Sequence, residues 1–338
     1  MPAVARPTVV LAMVPQLTSG LFTPTHHARL AAIAEVPECE PLTVFGDARA
    51  AHLLARAEIL LTGWGCPPID AATLAQAPRL RAIVHAAGTV KDHVTEAAWQ
   101  RGLLVSSAAA ANAVPVAEYT VAAILLANKR ALFLRERYRA VREFRWWPRE
   151  APGLGNYGKV VGLVGASAVG RAVIERLRRF DLELLVADPY LAPSDAAQLG
   201  VELVELDALL ARADVVSLHA PALPETRHLL DARRLGLMRD GATLLNTARG
   251  WLVDHAALER ELVAGRLHAV LDTTEPEILP ADSPLYDLPN VFLTPHIAGA
   301  MGAETQRLAT HAIDEIERYA RGEPFRHPVR REDLPRLA

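Results

Sequence analysis

The sequence predicts an α/β protein built from doubly wound parallel sheets, and three observations carry that prediction. Short apolar runs alternate with helical patterns along most of the chain, as in repeated β-α-β units. A length of 338 residues, 51% of them apolar and 22% charged, calls for two domains of ordinary size with large cores. Finally, a strand, a glycine turn and a helix-compatible stretch follow one another from Val160 to Arg179, the order that opens a dinucleotide-binding β-α-β unit.

Taken in order, the apolar runs Thr8–Met13, Glu58–Leu61, Leu80–Val84 and Leu103–Ser106 read as buried strands of one α/β layer. The run Thr8–Val14 has the composition of a signal-peptide core, but it is short, Pro15 ends it, and no small-x-small cleavage site follows closely. From Pro115 to about Arg130 the pattern turns helical, with Pro115 suited to a first-turn position. The segment Arg142–Gly158 is rich in Trp, Pro and Gly without a period, so it reads as a surface connection, with Trp146 and Trp147 as packing or interface residues. A second series of strands is predicted at Val160–Val164, Glu183–Ala187, Val215–Leu218, Thr243–Asn246, Ala269–Leu271 and Val291–Leu293. Asp254 is placed to cap a helix running to about Ala264, and Gly265 to end it. A last helix, Ala303 to Arg321, stops at Gly322.

Charge and cysteine usage exclude several functional classes. The chain has 36 basic and 39 acidic residues, so it lacks the global field that would hold nucleic acid or an anionic membrane. The best candidate for a membrane span, Val114 to Leu134, is interrupted by Glu118, Lys129 and Arg130, and no spanning helix is expected. Cys39 and Cys66 form neither a disulfide framework nor a zinc-ligand pair, which suits a cytoplasmic location; no metal is expected, because no Cys/His cluster has ligand spacing.

The cofactor signal is Gly165-Ala166-Ser167-Ala168-Val169-Gly170. In the G-x-G-x-x-G turn the first glycine makes the bend, the second admits the pyrophosphate, and the third lets helix and strand pack closely. Ser167 takes the second position, where its hydroxyl can reach a phosphate oxygen at the helix N-terminus. Asp188 follows a predicted strand 18 residues beyond Gly170, near the spacing of a ribose-binding carboxylate, and this favours NAD over NADP.

Three later segments place polar residues where strand ends can bring them together: Asn246-Thr247-Ala248-Arg249-Gly250, Leu271-Asp272-Thr273-Thr274-Glu275-Pro276-Glu277 and Thr294-Pro295-His296-Ile297-Ala298-Gly299. Oxidising a hydroxy acid requires a proton acceptor, a cation for the carboxylate and a nicotinamide for the hydride. His296 fits the proton step, Glu277 fits the role of orienting its ring and favouring imidazolium, and Arg249 fits the carboxylate. His219 reads as a lining residue of the cofactor pocket, whereas His26, His27, His52, His93, His255 and His268 read as surface or packing residues.

These motifs, together with Asn112-Ala113, Val116-Ala117-Glu118, Ser217-Leu218-His219-Ala220-Pro221 and Val253-Asp254, resemble the D-isomer-specific 2-hydroxyacid dehydrogenase family over nearly the whole chain. The resemblance implies two Rossmann-like domains, with an NAD-binding domain at 111–299 inserted into a flavodoxin-like substrate domain made of 1–110 and 300–338. It also implies an active site in the cleft between them, and a homodimer joined largely through the nucleotide domains. Arg249, Glu277 and His296 fall on the family's catalytic residues. Gly165, Ser167, Ala168, Val169, Gly170, Asp188, His219, Pro221, Thr247, Ala248, Arg249, Asp272, His296, Ala298 and Gly299 fall on its cofactor site. Ala87, Gly88 and Thr89, with Arg249 and His296, fall on its substrate site, although this loop is less glycine-rich than is common in the family. Lys91 reads as a solvated loop residue.

The implied reaction is reversible NAD-linked interconversion of a small 2-keto acid and a D-2-hydroxy acid. A different class of function, an NADH-sensing protein like the carboxy-terminal-binding-protein corepressors, shares the same polar triad. Formate dehydrogenases resemble the chain less well, because they carry glutamine where Glu277 stands.

Overall fold

The computed structural model describes residues 6–143 and 153–336; Trp146, Trp147 and the first five residues lie outside the described residues. Its packing divides the chain into one unit of Met1–Asn112 with Ala300–Leu337 and a second of Ala113–Gly299.

In the first unit, β1 (Val9–Ala12), β2 (Ile59–Thr62), β3 (Ala82–His85) and β4 (Leu104–Ser107) form a parallel sheet in that spatial order. Every residue of β1, β2 and β3 is buried, which explains why these runs are continuously apolar rather than alternating. One face packs Val9, Leu11 and Ile59 against Leu308, Ile313 and Ile316 of the helix Thr305–Ala320. The other face packs Val10, Leu60 and Ile83 against Leu53, Leu54 and Leu74. A flavodoxin-like sheet has a further strand beside β1, and here it is reduced to two parallel bridges, Thr8 with Glu35 and Ala12 with Leu42. Pro37 and Pro41 lie between those bridges and cannot donate to a ladder. At the opposite edge the C-terminal segment adds itself to β4, with a Ser106–Pro328 bridge and a Val329 amide donating to Val105.

In the second unit, β5 (Lys159–Val164), β6 (Leu182–Ala187), β7 (Glu202–Leu203), β8 (Val215–Leu218), β9 (Thr243–Asn246), β10 (His268–Leu271) and β11 (Val291–Leu293) form a parallel sheet of order β11-β10-β9-β8-β5-β6-β7. The order reverses at β5, whose neighbours are β6 and β8, and ligands of open α/β sheets bind outside the strand ends at such a switch point. β7 escapes sequence reading because two residues carry no period.

The helix read from Pro115 begins at Ala109 and runs to Asn128, so Pro115 lies inside it and the first-turn expectation is corrected. The alanines before Pro115 have high helix propensity, and the Ser107 hydroxyl accepts from the Ala109 amide at 3.4 Å, so the helix starts upstream of the proline. By length and composition this helix meets the requirement for a membrane span, which also corrects the sequence reading. Its Ala117 and Ile124 are nonetheless core residues of the second unit, and its buried Thr120 and Asn128 hydrogen-bond to Thr247 and Asn156.

Candidate active site

The glycine turn joins β5 to the helix Ala168–Leu177. Gly165 has φ +99°, and a Cβ there would stand 2.9 Å from the Ala220 backbone nitrogen; at Gly170 it would stand 2.3 Å from the Gly165 carbonyl oxygen. Neither position accepts a side chain, so the first and third glycines hold strand, helix and the following β8 loop in contact. Ser167 is different. Its φ of −63° and ψ of −179° suit any residue, and its hydroxyl accepts the Gly170 amide at 3.4 Å as the helix N-cap. The serine thus serves the helix terminus, while Ala168 is exposed and Val169 half-buried at the first turn.

Asp188 ties this turn to β6: one carboxylate oxygen accepts from the Ala166 amide at 2.7 Å and the other from Tyr190 at 2.8 Å. His219, at the end of β8, is buried beside both glycines and bonds to the Ser217 hydroxyl through Nε2 at 2.9 Å. Burial pushes its pKa down to about 4, so its ring is neutral at pH 7. Pro221 follows in the same loop and its carbonyl accepts from Thr226.

The ends of β9 and β10 are fastened together. Asp272 donates its amide to the Asn246 carbonyl, and the Asn246 side chain accepts from Ala248 at 3.0 Å while donating to the Arg249 carbonyl at 2.8 Å. Thr247 is buried against Thr120 at 3.0 Å. A Cβ on Gly250 would fall 2.1 Å from Thr274, so the chain after Arg249 lies directly against the loop that leads to Glu277. The Arg249 guanidinium, half-buried, donates to the Ala248 carbonyl at 2.7 Å.

Asp272 organises the His296 loop. Buried to 2% exposure, it accepts from the Thr294 hydroxyl at 2.6 Å, the Ile297 amide at 2.8 Å and the Ala298 amide at 2.9 Å. His296 itself sits at φ +55°, a left-handed conformation costly for a non-glycine residue, and its amide donates to the Asp272 carbonyl. Its ring is half-exposed, and Nδ1 meets Glu277 Oε1 at 2.6 Å. Glu275, by contrast, faces Arg227 at 3.6 Å and His228 at 4.0 Å. Of the two nearby glutamates, the one paired with His296 is therefore Glu277.

In the first unit, the loop after β3 carries Ala87, which is buried, and Gly88 and Thr89, which are half-buried. His85 and His93 lie beneath it, with ring centroids 4.4 Å apart, and both bond to the buried Thr62 hydroxyl, at 2.9 and 3.3 Å. Burial holds His85 well below the ordinary imidazole range and pushes His93 down to about 4. His93 is thus a buried packing residue.

Residues 121–298 match the family model of the D-isomer specific 2-hydroxyacid dehydrogenase, NAD binding domain. A glyoxylate reductase from Korarchaeum cryptofilum is 35% identical over 261 residues, covering 76% of this chain and 78% of that protein. The chain belongs to the D-isomer-specific 2-hydroxyacid dehydrogenases. Another member, the D-3-phosphoglycerate dehydrogenase of Mycobacterium bovis, is 41% identical over 256 residues, which are 75% of this chain and 47% of that one, so the match spans about half the length of that relative. The crystal structure of a phosphoglycerate oxidoreductase from Rhizobium etli superposes with a TM-score of 0.80 at 26% identity, covering 96% of this chain and 98% of that one. The matched stretch is an NAD-binding domain, and the side-chain-free approach at Gly165 and Gly170 fits that dinucleotide.

Within this family framework, three residues were not singled out from sequence. Tyr119 reaches the Thr294 hydroxyl at 2.7 Å, extending the Asp272 network to the helix Ala109–Asn128. Asn246 closes on residues two and three positions further on, whereas Thr294 and Tyr119 bond to residues 22 and 175 positions away, and residue type alone assigns none of the three its role.

Proposed function

We propose that the protein reversibly interconverts a 2-keto acid and a D-2-hydroxy acid, with NAD supplying hydride exchange when bound. The observation that carries the proposal is the 2.6 Å pairing of His296 Nδ1 with Glu277 Oε1 on a loop held by Asp272. The carboxylate accepts the Nδ1 proton, fixes the ring, and leaves Nε2 to exchange the substrate hydroxyl proton. Arg249 binds the substrate carboxylate through its planar fork and polarises the carbonyl. Gly165, Ala168, Val169, Gly170, Asp188, His219, Pro221, Thr247, Ala248, Asp272, Ala298 and Gly299 hold the cofactor, Ser167 caps the helix N-terminus beside it, and Asp188 disfavours a 2′-phosphate by charge. The backbone at Ala87, Gly88 and Thr89 takes part in holding the substrate carboxylate.

We further propose a cytoplasmic homodimer. Support for the dimer comes from a groove of about 890 Å³ on the second unit, where Ile278, Tyr286 and Phe292 are exposed, and support for the location from the two unpaired cysteines.

The test is NADH oxidation with glyoxylate, hydroxypyruvate, pyruvate and bulkier 2-keto acids, and NAD reduction with D-3-phosphoglycerate. At least one substrate is expected to turn over. Glu277→Gln should lower kcat by about 100-fold and alter the pH profile, without moving Tm, because the exposed ion pair contributes little stability. Tight NADH binding without turnover on any substrate would instead favour an NADH-sensing role.

A further inference from the structure

We propose that the first unit holds a divalent transition-metal ion, with zinc the best fit, between His311, Glu315 and His327. His311 and Glu315 lie one turn apart on the helix Thr305–Ala320, and His327 lies on the C-terminal segment that follows. One ligand atom from each falls within 4.8 Å of the others, and the two imidazole rings lie 4.5 Å apart. Two imidazoles and a carboxylate are a ligand set suited to zinc, with a fourth position left for water.

Three observations point to a cation. First, the Glu315 carboxylate is buried to 1% exposure, and its described hydrogen bonds come from the amides of Arg326 at 2.9 Å and His327 at 2.8 Å. Each oxygen keeps a further lone pair, and a buried carboxylate is stabilised by a counter-charge. Second, His311 Nε2 is buried and has no hydrogen-bond partner among the described residues. The Ser107 backbone interacts with the same ring, and a proton held there on Nδ1 would leave the Nε2 lone pair facing the cluster. Metal-binding histidines are oriented in this way by a second hydrogen bond. Third, Nε2 stands 4.0 Å from Glu315 Oε1, so two acceptors face each other across a distance too long for a hydrogen bond.

The neighbouring charges leave room for the ion. The cluster lines a cavity of about 230 Å³ shared with Asp314, Arg318 and Arg326. Arg318 is turned to Glu323 at 2.9 Å, and Arg29 pairs with Asp314 at 2.6 Å. The ion would join β4, through the Ser107 contact, to the last helix and to the tail that bonds to Val105. Sequence reading expected no metal because the ligand spacing, three intervening residues and then eleven, is not a Cys/His motif. This inference is independent of the dehydrogenase reaction.

The experiment uses the full chain after removal of metal with a chelator. Titration with zinc chloride is expected to show one ion bound per chain and a raised Tm that the chelator reverses. His327→Ala and His311→Ala should each weaken zinc binding by about 100-fold or more and abolish the rise in Tm, with the substrate turnover of the metal-free protein unchanged. Cobalt(II) bound to the unmodified protein should give the intense visible absorption of a tetrahedral site, a reading that holds even if a variant fails to fold. Zinc binding that survives both substitutions, stabilisation by inorganic phosphate in place of zinc, or the absence of a cobalt spectrum would each overturn the proposal.

Discussion

The strand ends of the seven-stranded sheet and the loop above the four-stranded sheet are both polar, yet they are held by opposite means. At β9–β11 the holding groups lie inside the motifs themselves: Asp272 takes three donors from Thr294, Ile297 and Ala298, and Asn246 closes on Ala248 and Arg249. Beneath residues 87–89 the support comes from Thr62, His85 and His93, which are brought together by the fold from three separate stretches of chain. The two networks span similar sequence distances, 22–26 residues in the first and 23–31 in the second, so what makes the first legible is that its members sit inside recognisable motifs. The family's cofactor chemistry is therefore legible here where the choice of substrate is not.

The largest expected effect breaks the first kind of support. Asp272→Ala leaves one hydroxyl and two amides without their acceptor and frees a histidine held at φ +55°. Stability should fall by about 3–5 kcal/mol, and turnover by about 100-fold or more as His296 loses its position. Urea denaturation and steady-state kinetics measure the two. Wild-type behaviour in both would mean that the network is not what holds the loop.

Acid acts on both regions at once. His219 and His93 have folded pKa values of about 4, below their ordinary value, because burial disfavours the charged ring. The unfolded chain binds a proton at each position near pH 6.5 while the folded chain does not, so the stability they contribute is complete above pH 6.5 and is lost as pH falls toward 4. Each loss reaches about 3 kcal/mol by pH 4. Hydrogen exchange at pH 4.5 should show opening at the end of β8 and at the loop after β3. His219→Gln should flatten the pH dependence of stability and suppress the first opening only.

A smaller effect sharpens the comparison from the other side. Thr62→Val removes the partner that His85 and His93 share and should cost about 1–3 kcal/mol. Because the change lies under residues 87–89, the substrate KM should rise while NADH affinity stays constant. A loss of NADH affinity instead would show that the two supports are not separate.

The same contrast accounts for what the sequence revealed. The long strands β5 and β6 were readable because burial of their last four residues makes them apolar runs, and the Asp254 cap was readable from side-chain chemistry, since Asp254 accepts from Ala257 at 3.0 Å. The helix start at Ala109 was missed because Pro115 is an interior residue that alanine propensity outweighs. The second strand of the flavodoxin-like sheet was lost to Pro37 and Pro41, and β7 was too short to read. In the candidate site, Arg249, Glu277 and His296 stood out by residue type. Tyr119 and Thr62 did not, because their partners lie 175 and 23–31 residues away in sequence, and the His311 cluster did not, because its steps of 4 and 12 residues match no Cys/His motif.

The smallest expected effect lies within the glycine turn itself. Ser167 occupies the position where the fingerprint has glycine, and both outcomes of restoring that glycine can be separated. The backbone already adopts φ −63°, so glycine relieves no strain there, and the N-cap bond it removes is long at 3.4 Å. Replacing a serine cap by glycine costs only a few tenths of a kcal/mol, so Ser167→Gly should leave Tm nearly unchanged and shift the NADH Kd by less than about twofold. Gly165→Ala provides the contrast, because φ +99° and the Ala220 backbone at 2.9 Å leave no place for a methyl group. A tenfold weakening of NADH binding in Ser167→Gly would mean that the hydroxyl contacts the pyrophosphate directly, and the serine would then belong to the cofactor site rather than to the helix terminus.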